Sequence, residues 1–123
     1  MKHFLFSSLS LALVAGSAFA AAPVGDAERG GKIHRGEVQI EGVAACSTCH
    51  GVDGNETIGG TFPRLAGQYP EYLVQALKSY ANGTRDNAVM LPIASALSLA
   101  DMEDLAAFYG KQQGALEILN SEE

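Results

Sequence analysis

Both cysteines of this 123-residue chain stand in one run, Cys46-Ser47-Thr48-Cys49-His50. A C-x-x-C-H run reads as a covalent attachment site for a c-type haem. Two thiols add to the two vinyl groups of one haem and form thioethers. The two residues between them, on a short helical turn, let both sulfurs reach the same edge of the macrocycle. His50 then lies under the ring and can give an imidazole nitrogen to the iron. A proximal His paired with a distal Met or His is the arrangement of electron-transfer haems.

Three other readings compete for the same residues. A redox-active C-x-x-C sits at a helix start in a strand–helix–strand setting, and no strand-like alternation runs through this sequence. A structural zinc site needs four ligands; Cys46, Cys49, His50 and His34 are the available set, with no second C-x-x-C. A disulfide across so short a loop would constrain almost nothing. Haem attachment accounts for the run best, and the start of the chain agrees with it. Met1-Lys2-His3 is a basic start, Phe4 to Ala15 is an apolar run, and Ala18-Phe19-Ala20 is a small-x-small cleavage signal. Together they read as a secretory signal peptide over residues 1–20, cut after Ala20 or one or two residues later. The apolar run is shorter than the roughly 20 residues a spanning helix needs, so no stable membrane insertion is expected. Haem attachment of this kind takes place outside the cytoplasm, which points to the periplasm.

About a hundred residues then remain, enough for one small domain whose core is only marginally adequate by itself. A buried haem would supply a large apolar centre. The leader contains one Lys and no acid, so its removal takes the formal charge from −6 to −7. Such a charge argues against nucleic acid and anionic membrane surfaces as partners. It suits docking onto basic patches of partner proteins.

The elements that must position the haem motif follow in order. Asp26 is a plausible N-cap for a helix running to about Arg35. Gly30 and Gly31 within it are poor helix formers; they serve close approach of another helix or mark an irregular segment. Gly36 to Ala45 leads into the motif and is expected to hug the haem edge. Gly51 to Asn55 is a turn cluster. Gly59 to Gly67 is a loop containing Pro63, whose carbonyl is a candidate acceptor for the second ring nitrogen of His50; a plain loop stiffener is an equal reading. Pro70 opens a helix with Tyr72, Leu73, Ala76, Leu77 and Tyr80 at helical spacing, closed by Asn82-Gly83. Thr84 to Met90 reads as a loop, and a methionine beside Pro92 is well placed to hang its thioether over a haem face. Ser98 to Asp101 forms a capping box. The last helix then runs to about Gln113 with Met102, Leu105, Ala106, Phe108 and Tyr109 inward. Residues 114–123 read as a flexible acidic tail.

These stretches resemble class I cytochromes c, and within them the single-haem domains of the cytochrome c4 / c553 group. The resemblance covers about residues 25 to 113. It rests on Gly25-Asp26-Ala27-Glu28, Ala45 to Gly51 with the C-x-x-C-H run, Phe62-Pro63-Arg64-Leu65-Ala66-Gly67-Gln68, Met90 to Ala94 with Leu97-Ser98, and Asp101 to Tyr109. It implies an all-α fold of about four helices wrapped around one covalently bound haem c, with residues 21–113 as the cytochrome domain. It implies thioethers at Cys46 and Cys49, His50 and Met90 as axial ligands, and the Pro63 carbonyl as acceptor from His50. It also implies that Gly30 packs against Phe108 where the first and last helices cross. His34 departs from the pattern, because an aromatic residue usually holds that place; it either weakens the crossing or sits at the surface. The implied function is a periplasmic one-electron carrier between a reductase and a terminal oxidase or other acceptor, and not an enzyme. A haem c subunit of a periplasmic dehydrogenase complex is the alternative. Nothing in the sequence resembles a catalytic acid–base pair or nucleophile constellation.

Overall fold

The structure, a computed structural model, describes residues 25–56 and 58–114. The expected leader and the acidic tail beyond Gly114 lie outside the described residues. Within them the secondary structure is helical: α1 Ala27–Arg35, α2 Ser47–His50, α3 Pro70–Ala81, α4 Met90–Ala96 and α5 Leu99–Lys111, with a short 3-10 turn at Ile58–Gly60. That is five α-helices against an expected four, because the segment around Met90 is helical.

Capping residues fix the helix ends. The Asp26 carboxylate accepts from the backbone N–H groups of Glu28 and Arg29 at 2.9 and 3.2 Å, which satisfies two donors left open by the first turn of α1. Gly36 ends that helix in the left-handed region, at φ 76°. Pro70 occupies the first turn of α3, where a missing N–H costs nothing. The box at α5 forms as its spacing predicts, with Ser98 Oγ accepting from Asp101 N and the Asp101 carboxylate accepting from Ser98 N. Helix α5 stops at Lys111, slightly short of Gln113. Helix α4 forms because Pro92 lies in its first turn, where proline is tolerated. The Asn87 side chain accepts from Val89 N and Met90 N at 3.0 and 2.9 Å and holds that turn in place.

The core is centred on α5, which contributes Met102, Leu105, Ala106, Phe108 and Tyr109, joined by Ile33 from α1, Leu73 from α3 and Leu97. Val38, Ile40 and Val43 of the segment before α2 pack against this cluster. Helices α1 and α5 cross at very short range. A Cβ on Gly30 would fall 1.9 Å from the Asp104 carbonyl oxygen, so the two backbones meet there and only glycine fits. Phe108 instead packs over Gly31, where a Cβ would stand 3.1 Å from the ring. The expected Gly30–Phe108 contact is therefore shifted by one residue: Gly30 faces backbone and Gly31 faces the aromatic ring.

An ion-pair network closes the same crossing. Arg29 donates to Asp101 and Asp104, both at 2.6 Å, and Asp104 also accepts from the Asp26 backbone N–H at 2.6 Å. Burial pushes the Asp101 carboxyl up, but the hydrogen bonds from Ser98 and Arg29 outweigh it and hold the group below the usual carboxylate range. These two aspartates are thus structural groups of the helix crossing, each only 7% exposed.

Candidate functional site

The cysteine motif folds as a single helical turn. Cys46 is the N-cap of α2, and His50 N–H bonds to the Cys46 carbonyl at 2.9 Å. Cys49 lies one turn after Cys46, so both side chains leave the same side of this turn. Both thiols are free and partly buried. Burial pushes the Cys46 thiol up in pKa, which keeps it a neutral thiol.

His50 is buried, and its ring is fixed from behind. Its Nδ1 lies 2.9 Å from the Pro63 carbonyl oxygen. A carbonyl oxygen only accepts, so Nδ1 carries a proton, and the lone pair of the neutral tautomer is the one on Nε2. An imidazole held this way is prepared to bind a metal through Nε2, with the backbone acceptor fixing its tautomer and rotation. Phe62 stands edge-on to the His50 ring, with centroids 6.1 Å apart. Of the two readings of Pro63, the structure thus displays the carbonyl contact.

Met90 is the first residue of α4 and is partly exposed. A methionine at a helix start, with its backbone N–H bonded to the Asn87 side chain, has a better-defined position than one in a loop. Met102 is 5% exposed inside the core, as expected of an inward helical methionine. Arg64 is exposed. Arg85 lies over the Tyr80 ring, 4.7 Å from its centroid.

The residues present fit a haem. Two free thiols one helical turn apart match two vinyl groups, and a nitrogen ligand follows directly. Several large apolar side chains also stand in the open: Ile58, Tyr69, Tyr72 and Leu91 are 60%, 55%, 51% and 40% exposed. Apolar surface of this kind on a small domain is what an apolar cofactor or partner would cover.

His34 is the residue that the sequence reading missed. It is fully buried, at 0% exposure, and neither at the surface nor a disruption of the crossing. Its Nδ1 lies 2.8 Å from the Tyr109 hydroxyl and its Nε2 lies 2.9 Å from the Val52 carbonyl oxygen. The ring also packs against Phe108, with centroids 5.1 Å apart. Helical spacing carried the signal, since Gly30, Ile33 and His34 fall on one face at i, i+3 and i+4. Tyr109 in turn packs against the turn after the motif: a Cβ on Gly54 would fall 2.8 Å from its ring.

The sequence model of the cytochrome c family matches residues 35–111. The thiosulfate dehydrogenase electron acceptor of Thiomonas intermedia is 43% identical over 55% of this chain and 31% of its own length. Cytochrome c-554(548) of Halomonas halodenitrificans is 38% identical over 58% of this chain and 88% of its own length. The structure of cytochrome c4 from Acidithiobacillus ferrooxidans superimposes with a TM-score of 0.64 at 43% identity, covering 68% of this chain and 48% of that one. The chain thus spans about a third of the first of these relatives and about half of the cytochrome c4. With the helical fold and the haem-compatible motif, these matches place the chain in the cytochrome c family, as a class I cytochrome c of the c4 group, a family defined by covalently bound haem c.

Proposed function

We propose that Cys46 and Cys49 carry the haem through thioethers, that His50 and Met90 are the axial ligands of its iron, and that the Pro63 carbonyl orients His50. The observation that carries this reading is the His50–Pro63 bond at 2.9 Å, which engages Nδ1 and reserves Nε2 for a metal, in the same short turn as two free thiols. The bound haem would supply a one-electron ferric–ferrous couple with both axial positions filled. The chain's own residues then do three things. The motif turn fixes the cofactor at one edge, the Pro63 carbonyl prevents rotation of the imidazole, and the buried helices keep water from the proximal side.

In this reading the chain is exported by its leader, residues 1–20, and works in the periplasm as a diffusible carrier. It takes electrons from a membrane or periplasmic reductase and passes them to a terminal oxidase or another acceptor with a basic docking patch. Among the described residues, no helix is long and apolar enough to cross a membrane. The relative from Thiomonas intermedia favours a second reading, in which the chain serves a periplasmic dehydrogenase as its haem c subunit or dedicated acceptor.

The test is attachment and ligation in the protein as exported. The haem should survive denaturation and acid–organic extraction and remain on the peptide containing Cys46 and Cys49. Met90→Ala should remove the ferric charge-transfer band of a sulfur-ligated iron and lower the potential, while Met102→Leu should leave both nearly intact. Extractable haem, or the reverse behaviour of the two methionines, would overturn the assignment.

A further inference from the structure

The bond that fixes the His50 imidazole joins two loops, and both loops are held to the helices by one pair of buried side chains. His50 ends α2, and Pro63, 2.9 Å from its Nδ1, lies on the loop before α3. Beyond His50 the chain turns through Gly51 to Asn55, and there the Val52 carbonyl accepts from His34 Nε2 at 2.9 Å. The Gly54 carbonyl accepts from Leu65 N and Ala66 N at 2.8 and 3.3 Å, which ties this turn to the Pro63 loop. That loop is tied in turn to α5, where Gly67 N donates to the Tyr109 carbonyl at 2.9 Å. The Tyr109 ring meets Gly54 so closely that a Cβ there would fall 2.8 Å from it. The Tyr109 hydroxyl is bonded to His34 Nδ1 at 2.8 Å. His34 and Tyr109 are only 0% and 4% exposed, whereas the bond from Asn55 to the Gln113 carbonyl lies at the surface.

His34 from α1 and Tyr109 from α5 thus close a circuit of contacts that also contains His50 and its acceptor Pro63. We propose that His34 and Tyr109 are positioning residues that set the His50–Pro63 bond, and through it the reduction potential, by clamping the two loops to the crossing of α1 and α5. A ring N–H held by an acceptor makes the imidazole a more basic ligand. A more basic ligand favours the oxidised centre, whose charge is more positive by one unit, and so holds the potential down. Hydrogen bonds weaken steeply once they bend, so a small parting of the two loops is enough to weaken this one. The inference rests on the reading that His50 ligates the iron. It goes beyond that reading by assigning a role to two residues that neither bind the iron nor attach the cofactor.

Three variants of the haem-loaded protein test it. His34→Phe keeps the aromatic packing against Phe108 and removes both bonds. Tyr109→Phe keeps the ring over Gly54 and the main-chain bond to Gly67, and removes the hydroxyl alone. Arg29→Met weakens the same helix crossing but takes its bonds from neither loop. The readouts are the potential and the solvent exchange of the His50 Nδ1 proton, followed by nuclear magnetic resonance. In His34→Phe that proton should exchange roughly tenfold faster, because a missing buried hydrogen bond favours local opening by about that factor, and the potential should rise. Tyr109→Phe should move both in the same direction by less, since Val52 keeps its donor. Arg29→Met should lower stability and leave both at the parent value. An unchanged potential and exchange rate in a folded His34→Phe would overturn the proposal; if that variant does not fold, the same result in Tyr109→Phe overturns it. Equal shifts in Arg29→Met would overturn it too, by reducing the clamp to general stability. In the parent, ferric iron should displace the His50 Nδ1 proton resonance far from its ordinary position. Absence of that displacement would defeat the ligand reading, whereas a displaced proton indifferent to His34 and Tyr109 would defeat only the clamp.

Discussion

Gly30→Ala is the sharpest test of the helix crossing. The added methyl would sit 1.9 Å from the Asp104 carbonyl oxygen and 2.4 Å from its carbon, both backbone atoms inside α5. No rotamer change can relieve such a contact, so one helix must move by an ångström or more. Movement would loosen the Arg29 bridge to Asp101 and Asp104 as well as the packing of Ile33 and Phe108. Overpacking costs about 1–3 kcal/mol where side chains give way, occasionally more, and a backbone clash belongs at or above the upper end. Alanine is favoured over glycine in a helix by about 1 kcal/mol, which leaves a net loss of about 2 kcal/mol or more. For a domain of this size that lowers the midpoint of thermal unfolding by roughly 8–16 °C. Gly31→Ala is the internal control. Its methyl would meet the Phe108 ring at 3.1 Å and the Arg35 guanidinium at 3.0 Å, both side-chain groups able to yield. There the propensity gain and the strain nearly cancel. Denaturant and thermal unfolding of the haem-loaded proteins, followed by far-ultraviolet circular dichroism, measure both changes. Equal stability of Gly30→Ala and Gly31→Ala would refute the backbone contact.

Three further outcomes follow from other features. His34 is held neutral, so its folded pKa lies below its unfolded value of about 6.5, and the unfolded chain binds the extra proton first. Stability should therefore be full above about pH 6.5 and fall as the pH drops toward the folded value; in urea titrations His34→Gln should flatten this slope. Arg29→Met should destabilise by about 1–3 kcal/mol, because two nearly buried carboxylates lose their donor. In the parent, the Asp101 contribution is present above the unfolded carboxyl value of about 3.9 and lost as the pH falls through its lower folded value, so this variant should show a weaker acid dependence. Electron transfer to a basic partner should slow as salt rises, since the chain carries −6 overall and the Debye length is about 8 Å at physiological ionic strength. The negative charge available for docking sits on exposed residues such as Glu37, Glu41, Glu71 and Asp86, because Asp101 and Asp104 are consumed by Arg29. A rate that is flat in salt would favour the permanent-subunit reading.

The sequence by itself determined what is chemically local. The C-x-x-C-H turn, the Asp26 cap, the Pro70 start and the Ser98–Asp101 box each rest on residues within one helical turn, where spacing alone decides the geometry. The inward face of α5 was equally legible, because a 3.6-residue period needs no knowledge of its partner. Tertiary structure decided what depends on residues far apart in the chain. The capping box explains Asp101 only in part: Arg29, 72 and 75 residues away from Asp101 and Asp104, binds both, and no local spacing announces that pairing. Met90 read as a loop residue because a nearby proline usually marks a loop, but Pro92 is tolerated in a first turn and the Asn87 side chain holds that turn. Phe108 and the two glycines were assigned to the right crossing but in the wrong pairing, since a one-residue shift between helices leaves both periodic patterns unchanged. His34 looked like a surface histidine or a defect in the crossing. Only the fold brings Tyr109 and the Val52 carbonyl to its two nitrogens, and a buried imidazole is stable only where both are satisfied.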